Sequence, residues 1–346
     1  MATIKDVARV SGVSIATVSR VLNEYPHVKP DMRAKVKRAI TELNYAPNRL
    51  ASSFRTQQSR VVGVFLRQQR TPFSSAVAYA IEDTLFRAGY RVLICSTNGD
   101  ADREETYVRS MLELRTEGVI IRPSGSRAST LRNVSMLRDA GIAVVFTDMW
   151  HKVPGVSGVV CDNFAGGHEG MRHLIEQGHR HIGVIAGQGA QLQKRIAIGN
   201  VGSERVRGIL KASQDLASDV TLRFSHPFTG ESNLDVGRSE THALLDRHAG
   251  ITAIFATTDM LAVGAMQAAH QRGIDVPGSL SVLGYDGIME SGITYPALST
   301  VRQPIHEMGQ RAAQALLAHM KYPETAVQYI VLENTILARG STAPLF

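Results

Sequence analysis

The stretch TIKDVARVSGVSIATVSRVLN, Thr3 to Asn23, decides how this chain is read. Its apolar residues recur at Ile4, Val7, Ala8, Val13, Val18, Val21 and Leu22, a spacing that predicts two short helices of period 3.6 hinged at Gly12. Thr3 is placed to cap the first helix and Ser14 the second, while Gly12 supplies the backbone freedom of a tight turn. With Val18, Val21 and Leu22 turned toward a core, Ile15, Ala16, Thr17 and Arg20 fall on the opposite face. In a helix-turn-helix that face meets DNA.

The position of the charge agrees with this reading. Of 38 Lys+Arg and 31 Asp+Glu, eleven basic and four acidic residues fall within positions 1–60, so the rest of the chain holds 27 of each sign. A compact basic module on a neutral body points to phosphate contact with salt-sensitive affinity. At 346 residues the chain exceeds one ordinary core, and its 44% hydrophobic content is that of a globular protein. Cys95 and Cys161 end apolar strand-like runs and read as small buried residues. No secretory signal or membrane-length apolar run is seen, so a cytoplasmic location is expected.

Downstream of the opening stretch, Val28-Lys29-Pro30 leads into a third helix with Val36, Ala39, Ile40 and Leu43 on its apolar face. Tyr45-Ala46-Pro47 ends it, because the residue before proline leaves helical geometry. Asn48 can cap a further segment, Arg49 to Thr56, whose two turns are too short to hold alone and are expected to order on a partner.

From Arg60 onward, strand-like runs alternate with amphipathic segments. Val61–Leu66, Arg91–Cys95, Val119–Ile121, Ile142–Thr147, His181–Ala186, Ile251–Ala256 and Leu280–Gly284 are short and rich in Val and Ile. Gly89, Gly118, Gly141, Gly178 and Gly273 read as helix-terminating glycines, which predicts doubly wound α/β lobes, two in number for a body of this length.

The opening run, the following VKPDMRAKVKRAITELNYAPN and the ASSFR segment resemble the DNA-binding headpiece of the LacI/GalR family of bacterial transcriptional regulators. TPFS (71–74), VVCDN (159–163), IEQGHRHIGVIAG (175–187), ERVRGI (204–209), TTDMLAVGAM (257–266), GIDVPGSLSVLGYDG (273–287) and PALSTVRQP (296–304) resemble, in order, the landmarks of that family's effector-binding domain. The resemblance implies an all-α helix-turn-helix headpiece over 1–47, a hinge helix and linker over 48–59, and a two-lobed α/β periplasmic-binding-protein-like domain with doubly wound parallel sheets over 60–346. One lobe would hold about 60–161 and 291–325, the other about 162–290 and 326–346. It further implies a homodimer reading a palindromic operator in double-stranded DNA under control of a small-molecule effector. Thr3, Ser14, Ile15, Ala16, Thr17, Arg20, Asn23, Asn48, Ser52 and Phe54 would then form the DNA interface, with Arg20 able to grip guanine O6 and N7.

The chain departs from the family pattern at four places. Phe54 stands where leucine is usual as the minor-groove wedge, and either wedges a base step or packs back on the protein. Lys29 stands where a capping Ser or Ala is common, Ser74 where a second aromatic is common, and the loop from Gly187 to Arg205 is long.

Ligands in such folds bind at the carboxyl ends of strands. Phe73, Arg122, Asp148, Trp150, Asp162 and Asp286 fall there; Phe73, Asp162, Arg205 and Asp286 match the family motifs, and Thr258 is a weaker contact candidate. Asp162 and Asp286 would accept hydrogen bonds from hydroxyls, Arg205 would donate, and Phe73 would stack on a sugar face. Asp162 and Asp286 have a second reading as caps of the helices that follow, Asp259 reads as a cap, and Arg122 is either a crevice cation favouring a sugar acid or a solvated arginine.

Catalytic readings find little support. Gly187-Gln188-Gly189 lacks the third glycine of a dinucleotide fingerprint, His168, His173, His179 and His181 lack metal-site spacing, and GxSxG does not occur. No cofactor is expected. A ligand-binding module without gene regulation is the remaining alternative, and the headpiece argues against it.

Overall fold

A computed structural model describes residues 2–22, 24–45, 59–68, 70–124, 126–149, 152–187, 201–226 and 233–345. Asn23, Asn48, Ser52, Phe54 and Trp150 lie outside the described residues, as do 46–58 and most of the Gly187–Arg205 loop. The chain forms two compact units, Met1–Arg60 and Val61–Phe346.

In the first unit, α1 (Ile4–Ser11) opens with a capping box, in which Thr3 Oγ1 accepts from the Asp6 amide at 3.3 Å and Asp6 Oδ2 accepts from the Thr3 amide at 3.0 Å. Gly12 ends it in the left-handed region at φ 67°. Ser14 Oγ caps α2 (Ile15–Leu22) by accepting from the Thr17 amide at 3.2 Å. The third helix, α3 (Pro30–Glu42), begins at Lys29 without a side-chain cap, as the lysine there predicts. Val7, Ala8, Val18, Val21, Val36 and Ala39 are the buried residues of one small core.

The second unit contains two six-stranded sheets. Sheet 1 takes β1 (Val61–Leu66), β2 (Arg91–Ser96), β3 (Gly118–Ile121), β4 (Ala143–Thr147), β5 (Ser157–Cys161) and β11 (Tyr329–Leu332), in the order β11-β5-β4-β3-β1-β2, all parallel. Sheet 2 takes β6 (His181–Ile185), β7 (Thr221–Phe224), β8 (Ala253–Ala256), β9 (Ser281–Asp286), β10 (Ser299–Arg302) and β12 (Thr335–Leu337), in the order β12-β10-β9-β8-β6-β7. Only the β10·β12 pair is antiparallel.

Helices cover both faces of each sheet, which is why the central strands are continuous apolar runs. On sheet 1, α4 (Pro72–Arg87) and α11 (Ile305–Lys321) bury Ile81, Leu85, Met308, Ala312 and Leu316, while α5 (Ala101–Glu113) and α6 (Arg127–Asp139) bury Val108, Met111, Val134 and Leu137. On sheet 2, α7 (Asn163–Glu176) and α8 (Val201–Leu216) bury Met171, Leu174, Val206 and Ile209, while α9 (Leu234–Arg247) and α10 (Asp259–Gln271) bury Leu244, Leu261, Ala262 and Ala265.

The chain passes between the sheets three times, after β5, after β10 and after β11. The expected lobe boundaries are corrected at two of these. Residues 299–302 belong with lobe 2, since Ser299 pairs Leu283 and Arg302 pairs Asp286, and residues 329–332 belong with lobe 1, since Tyr329 pairs Gly158. The order of short strands along the chain does not say which sheet edge accepts them. A second correction concerns Gly118. Gly89, Gly141, Gly178 and Gly273 have the expected positive φ, but Gly118 opens β3 while Arg115 makes the left-handed turn at φ 50°. Gly118 is small for another reason: a Cβ there would stand 2.9 Å from Leu316 Cδ1 and Met320 Sδ on α11.

Helices α7 and α8 touch backbone to backbone. A Cβ on Gly167 would lie 2.0 Å from the Arg205 carbonyl oxygen, and one on Gly208 would lie 2.0 Å from that of Phe164. No side-chain rotation relieves either clash. Gly167→Ala is therefore expected to destabilise the protein by about 1–3 kcal/mol or more, as overpacking does. Urea unfolding measures this, and an unchanged midpoint would mean that the helices separate freely.

Candidate functional site

On the headpiece, the second helix presents Ile15, Ala16 and Arg20 to solvent, with Ile15 41% exposed despite its apolar side chain. The Arg20 side chain makes no hydrogen bond or ion pair among the described residues, while its carbonyl accepts from the Tyr25 amide at 2.9 Å. Three expected DNA contacts have structural work first. Thr3 and Ser14 spend their hydroxyls on caps, and Thr17 is half-buried with Oγ1 at 2.9 Å from Ser14 Oγ.

In the body, the candidate residues gather at the carboxyl ends of the strands and at the crossings. Arg205 enters from α8 and is 5% exposed. Its Nε donates to Asn163 Oδ1 at 2.7 Å, and Nη1 donates to the Thr257 carbonyl at 2.6 Å and to Asp286 Oδ1 at 3.1 Å. The guanidinium lies 3.8 Å from the centroid of the Tyr285 ring. Asp286 ends β9 at φ 129° and also accepts from Gln303 Nε2 at 2.8 Å. Burial pushes the Asp286 carboxyl up to about 7 against the pull of Arg205, with Asp259 and Asp148 adding to the rise.

Across the crevice, Asp148 follows β4 at φ 51° and is 6% exposed. Arg122 Nε, after β3, stands 2.7 Å from Asp148 Oδ2, so the expected crevice cation is paired within the protein. Even so, neither Asp148 oxygen accepts a well-formed hydrogen bond. The loop carrying Arg122 is pinned by Glu104 on α5, whose Oε2 accepts from the Ser124 amide at 2.7 Å and whose Oε1 accepts from Asn133 Nδ2 at 3.0 Å.

Other candidates also make bonds or contacts within the fold. Asp162 caps α7 by accepting from the Ala165 amide at 2.9 Å, so of its two readings the capping one is realised. Thr258, expected as a ligand contact, caps α10 by accepting from the Leu261 amide at 3.3 Å. Asp259, expected as that cap, is instead fully buried and accepts from the Gly287 and Ile288 amides and the Thr300 hydroxyl at 2.8, 2.9 and 2.6 Å. Phe73 lies in the first turn of α4, half-buried and packed against the sheet 1 core. Two of the four histidines are tied up within the fold: His179 meets Thr252 Oγ1 at 3.0 Å and the Ala343 carbonyl at 3.2 Å, and His173 meets Thr342 Oγ1 at 3.1 Å. No group of three or more His, Cys, Asp or Glu able to hold a metal occurs among the described residues.

Sequence reasoning missed Gln303, Glu104 and Arg67. Gln303 lies inside the quoted PALSTVRQP, and Arg67 immediately follows β1, a position that the rule placing ligands at carboxyl strand ends already marks. Glu104 gives no local signal, because its role comes from a loop twenty residues away.

A basic helix-turn-helix unit and a two-sheet body with polar groups converging at the strand ends define a DNA-binding regulator with a ligand-binding domain. Residues 3–48 match the model of bacterial regulatory proteins of the lacI family, and residues 171–342 match that of the periplasmic binding protein-like domain. The chain is 32% identical over 345 residues to the HTH-type transcriptional repressor PurR of Pectobacterium carotovorum subsp. carotovorum (strain PC1), covering 99% of this chain and 97% of that protein. It is equally 32% identical over 345 residues to the PurR repressor of Proteus mirabilis (strain HI4320), with the same coverage. Among solved structures it resembles a lac repressor dimer bound to operator and the anti-inducer ONPF, at 26% identity, 99% coverage of both chains and a TM-score of 0.84. It also resembles a CelR–cellobiose complex, at 28% identity, 99% coverage of this chain and 100% of the other, and a TM-score of 0.69. The chain belongs to the LacI family, whose members are regulators and not enzymes.

The raised Asp286 carboxyl sets a pH dependence. Its unfolded value lies near 3.8 and its folded value about 7, so between these the folded state holds a proton that the unfolded state has released. Stability from this group is present at low pH and lost as pH rises toward 7. Burial raises Asp259 in the same direction. Asp286→Asn should make the fall in urea-unfolding stability between pH 5 and about pH 8 shallower without abolishing it; an identical slope would mean that Asp286 is ionised throughout.

Proposed function

We propose that this protein is a transcriptional repressor that reads a palindromic operator as a homodimer, with its affinity set by a sugar or sugar-acid effector held between the two lobes. The observation that carries the effector reading is Asp148, a buried carboxylate with two oxygens that accept nothing well from the protein, opposite the Arg205–Asp286–Gln303 group. An acceptor so placed calls for donors on a ligand, and hydroxyls supply them. The complex of CelR with cellobiose supports a hydroxylated ligand in a body of this kind.

The DNA reading rests on the exposed Ile15, Ala16 and Arg20 of α2, with Ile15 and Ala16 suited to thymine methyl groups and Arg20 to guanine. Exposed apolar side chains support the dimer. Tyr79 and Phe86 on α4, Leu93 and Ile94 on the edge strand β2, and Met289, Ile293 and Tyr295 before β10 are all exposed. The lac repressor structure, a dimer bound to operator, is consistent with the same assembly here. Binding operator DNA requires the cytoplasm, and no helix among the described residues is long and apolar enough to cross a membrane.

Effector control follows from coupling lobe closure to the headpieces through the hinge segment. Arg20→Ala should cost roughly 1–3 kcal/mol of operator affinity and relax one base position, read by fluorescence anisotropy on a set of single-base operator variants. Equal loss on every sequence would reassign Arg20 to a phosphate. Operator affinity that stays constant for every compound raising the melting temperature of the protein would sink the effector coupling.

A further inference from the structure

Three adjacent strands of sheet 1 end in charges at one edge. Phe65 pairs Ile121 and Ile121 pairs Phe146, so Arg67, Arg122 and Asp148 leave β1, β3 and β4 side by side. The Arg122 amide donates to the Phe65 carbonyl at 3.1 Å, which holds this edge in register. Two guanidiniums therefore share one carboxylate. Arg122 takes it at 2.7 Å, and Arg67 makes no hydrogen bond or ion pair among the described residues. On the opposite lobe, Arg205 already donates to Asp286, Asn163 and Thr257.

Arg67 also has its place prepared. Gly99 sits in the left-handed region at φ 75°, and a Cβ there would come 3.1 Å from Arg67 Nε, so the guanidinium lies along bare backbone. Arg67 is exposed to solvent; the charge of Arg122 beside it disfavours this cation, while Asp148 favours it. An arginine does not answer a neighbouring cation by losing its proton, and a bound anion would offset the charge of Arg122 and meet the open N–H groups of Arg67.

We propose that Arg67 is a specificity-determining residue of the effector crevice, selecting a hydroxylated metabolite that carries a carboxylate or a phosphate ester. This rests on the reading of the crevice as the effector site. The anion would take the free planar fork of Arg67 in paired hydrogen bonds, and hydroxyls of the same molecule would supply the donors that Asp148 lacks. Sugar acids and sugar phosphates share this chemistry, and neutral sugars do not.

The test is calorimetric titration of the full chain with D-gluconate, D-glucose 6-phosphate and D-glucose, in the wild type, Arg67→Ala and Arg67→Lys. One anionic probe should bind at least about tenfold more tightly than D-glucose, and which one does so separates a carboxylate from a phosphate. Arg67→Ala should weaken that probe by about 10- to 100-fold, the range for hydrogen bonds to charged groups, and leave D-glucose unchanged. Arg67→Lys should keep part of the preference by keeping the charge. D-glucose binding as tightly as both anions would overturn the role of Arg67 while leaving a sugar effector standing. An equal loss of all three probes in Arg67→Ala would make the residue merely structural. Binding of none of the three, with melting-temperature shifts only from ligands lacking hydroxyls, would overturn both readings.

Discussion

The body is organised around one buried cation. A guanidinium as enclosed as that of Arg205 costs several kcal/mol to remove from water unless its protons are met by acceptors. Here an amide oxygen, a main-chain carbonyl, a carboxylate and the face of Tyr285 all meet it. Each partner belongs to a different piece of the fold: Asn163 to the start of α7 after the first crossing, Thr257 to the end of β8, and Asp286 to the end of β9. Through Asp286 the grip extends to Gln303 in the second crossing. The glycines of α7 and α8 belong to the same constraint, since they let the helix bearing Arg205 come close enough to reach these groups.

Much of this was legible in the chain. The two-helix opening, the position of its caps and the family landmarks of the body led to the right fold, because capping and apolar periodicity are local properties. The lobe boundaries were not, since β10 to β12 are three or four residues long and their sheet is chosen by hydrogen-bonding partners far away in sequence. The acidic residues show the same limit. Asp148, Asp162, Asp259 and Asp286 all lie at strand ends or helix starts, yet one caps a helix, one ties β9 to β10, and two face the crevice. What separates them is whether a main-chain amide happens to lie within reach, and that is settled only in three dimensions. Arg122 was seen but its pairing with Asp148 was not, and Arg67 was passed over although its place after β1 is one that the strand-end rule marks.

Both halves of the molecule divide their polar residues in a similar way. In the headpiece the hydroxyls of Thr3 and Ser14 complete helix ends, while Ile15, Ala16 and Arg20 stay open to solvent on α2. In the body Thr258 and Asp162 do the same for α10 and α7, while Asp148 and Gln303 keep side-chain oxygens that no described group meets. Satisfied polar atoms build the scaffold and unsatisfied ones mark what it is for.

The three crossings have a consequence for how the chain is made. Helix α11 supplies Met308, Ala312, Ala313 and Leu316 to the sheet 1 core, and β11 closes one edge of that sheet. Five of the six strands of sheet 1 therefore emerge from the ribosome long before the helix that covers them, and sheet 2 cannot seat β12 until β11 has been made. Helix α4 covers its share of that face early, but the share under α11 stays open to water until residues 305–321 have been made, and neither sheet is complete before the last crossing.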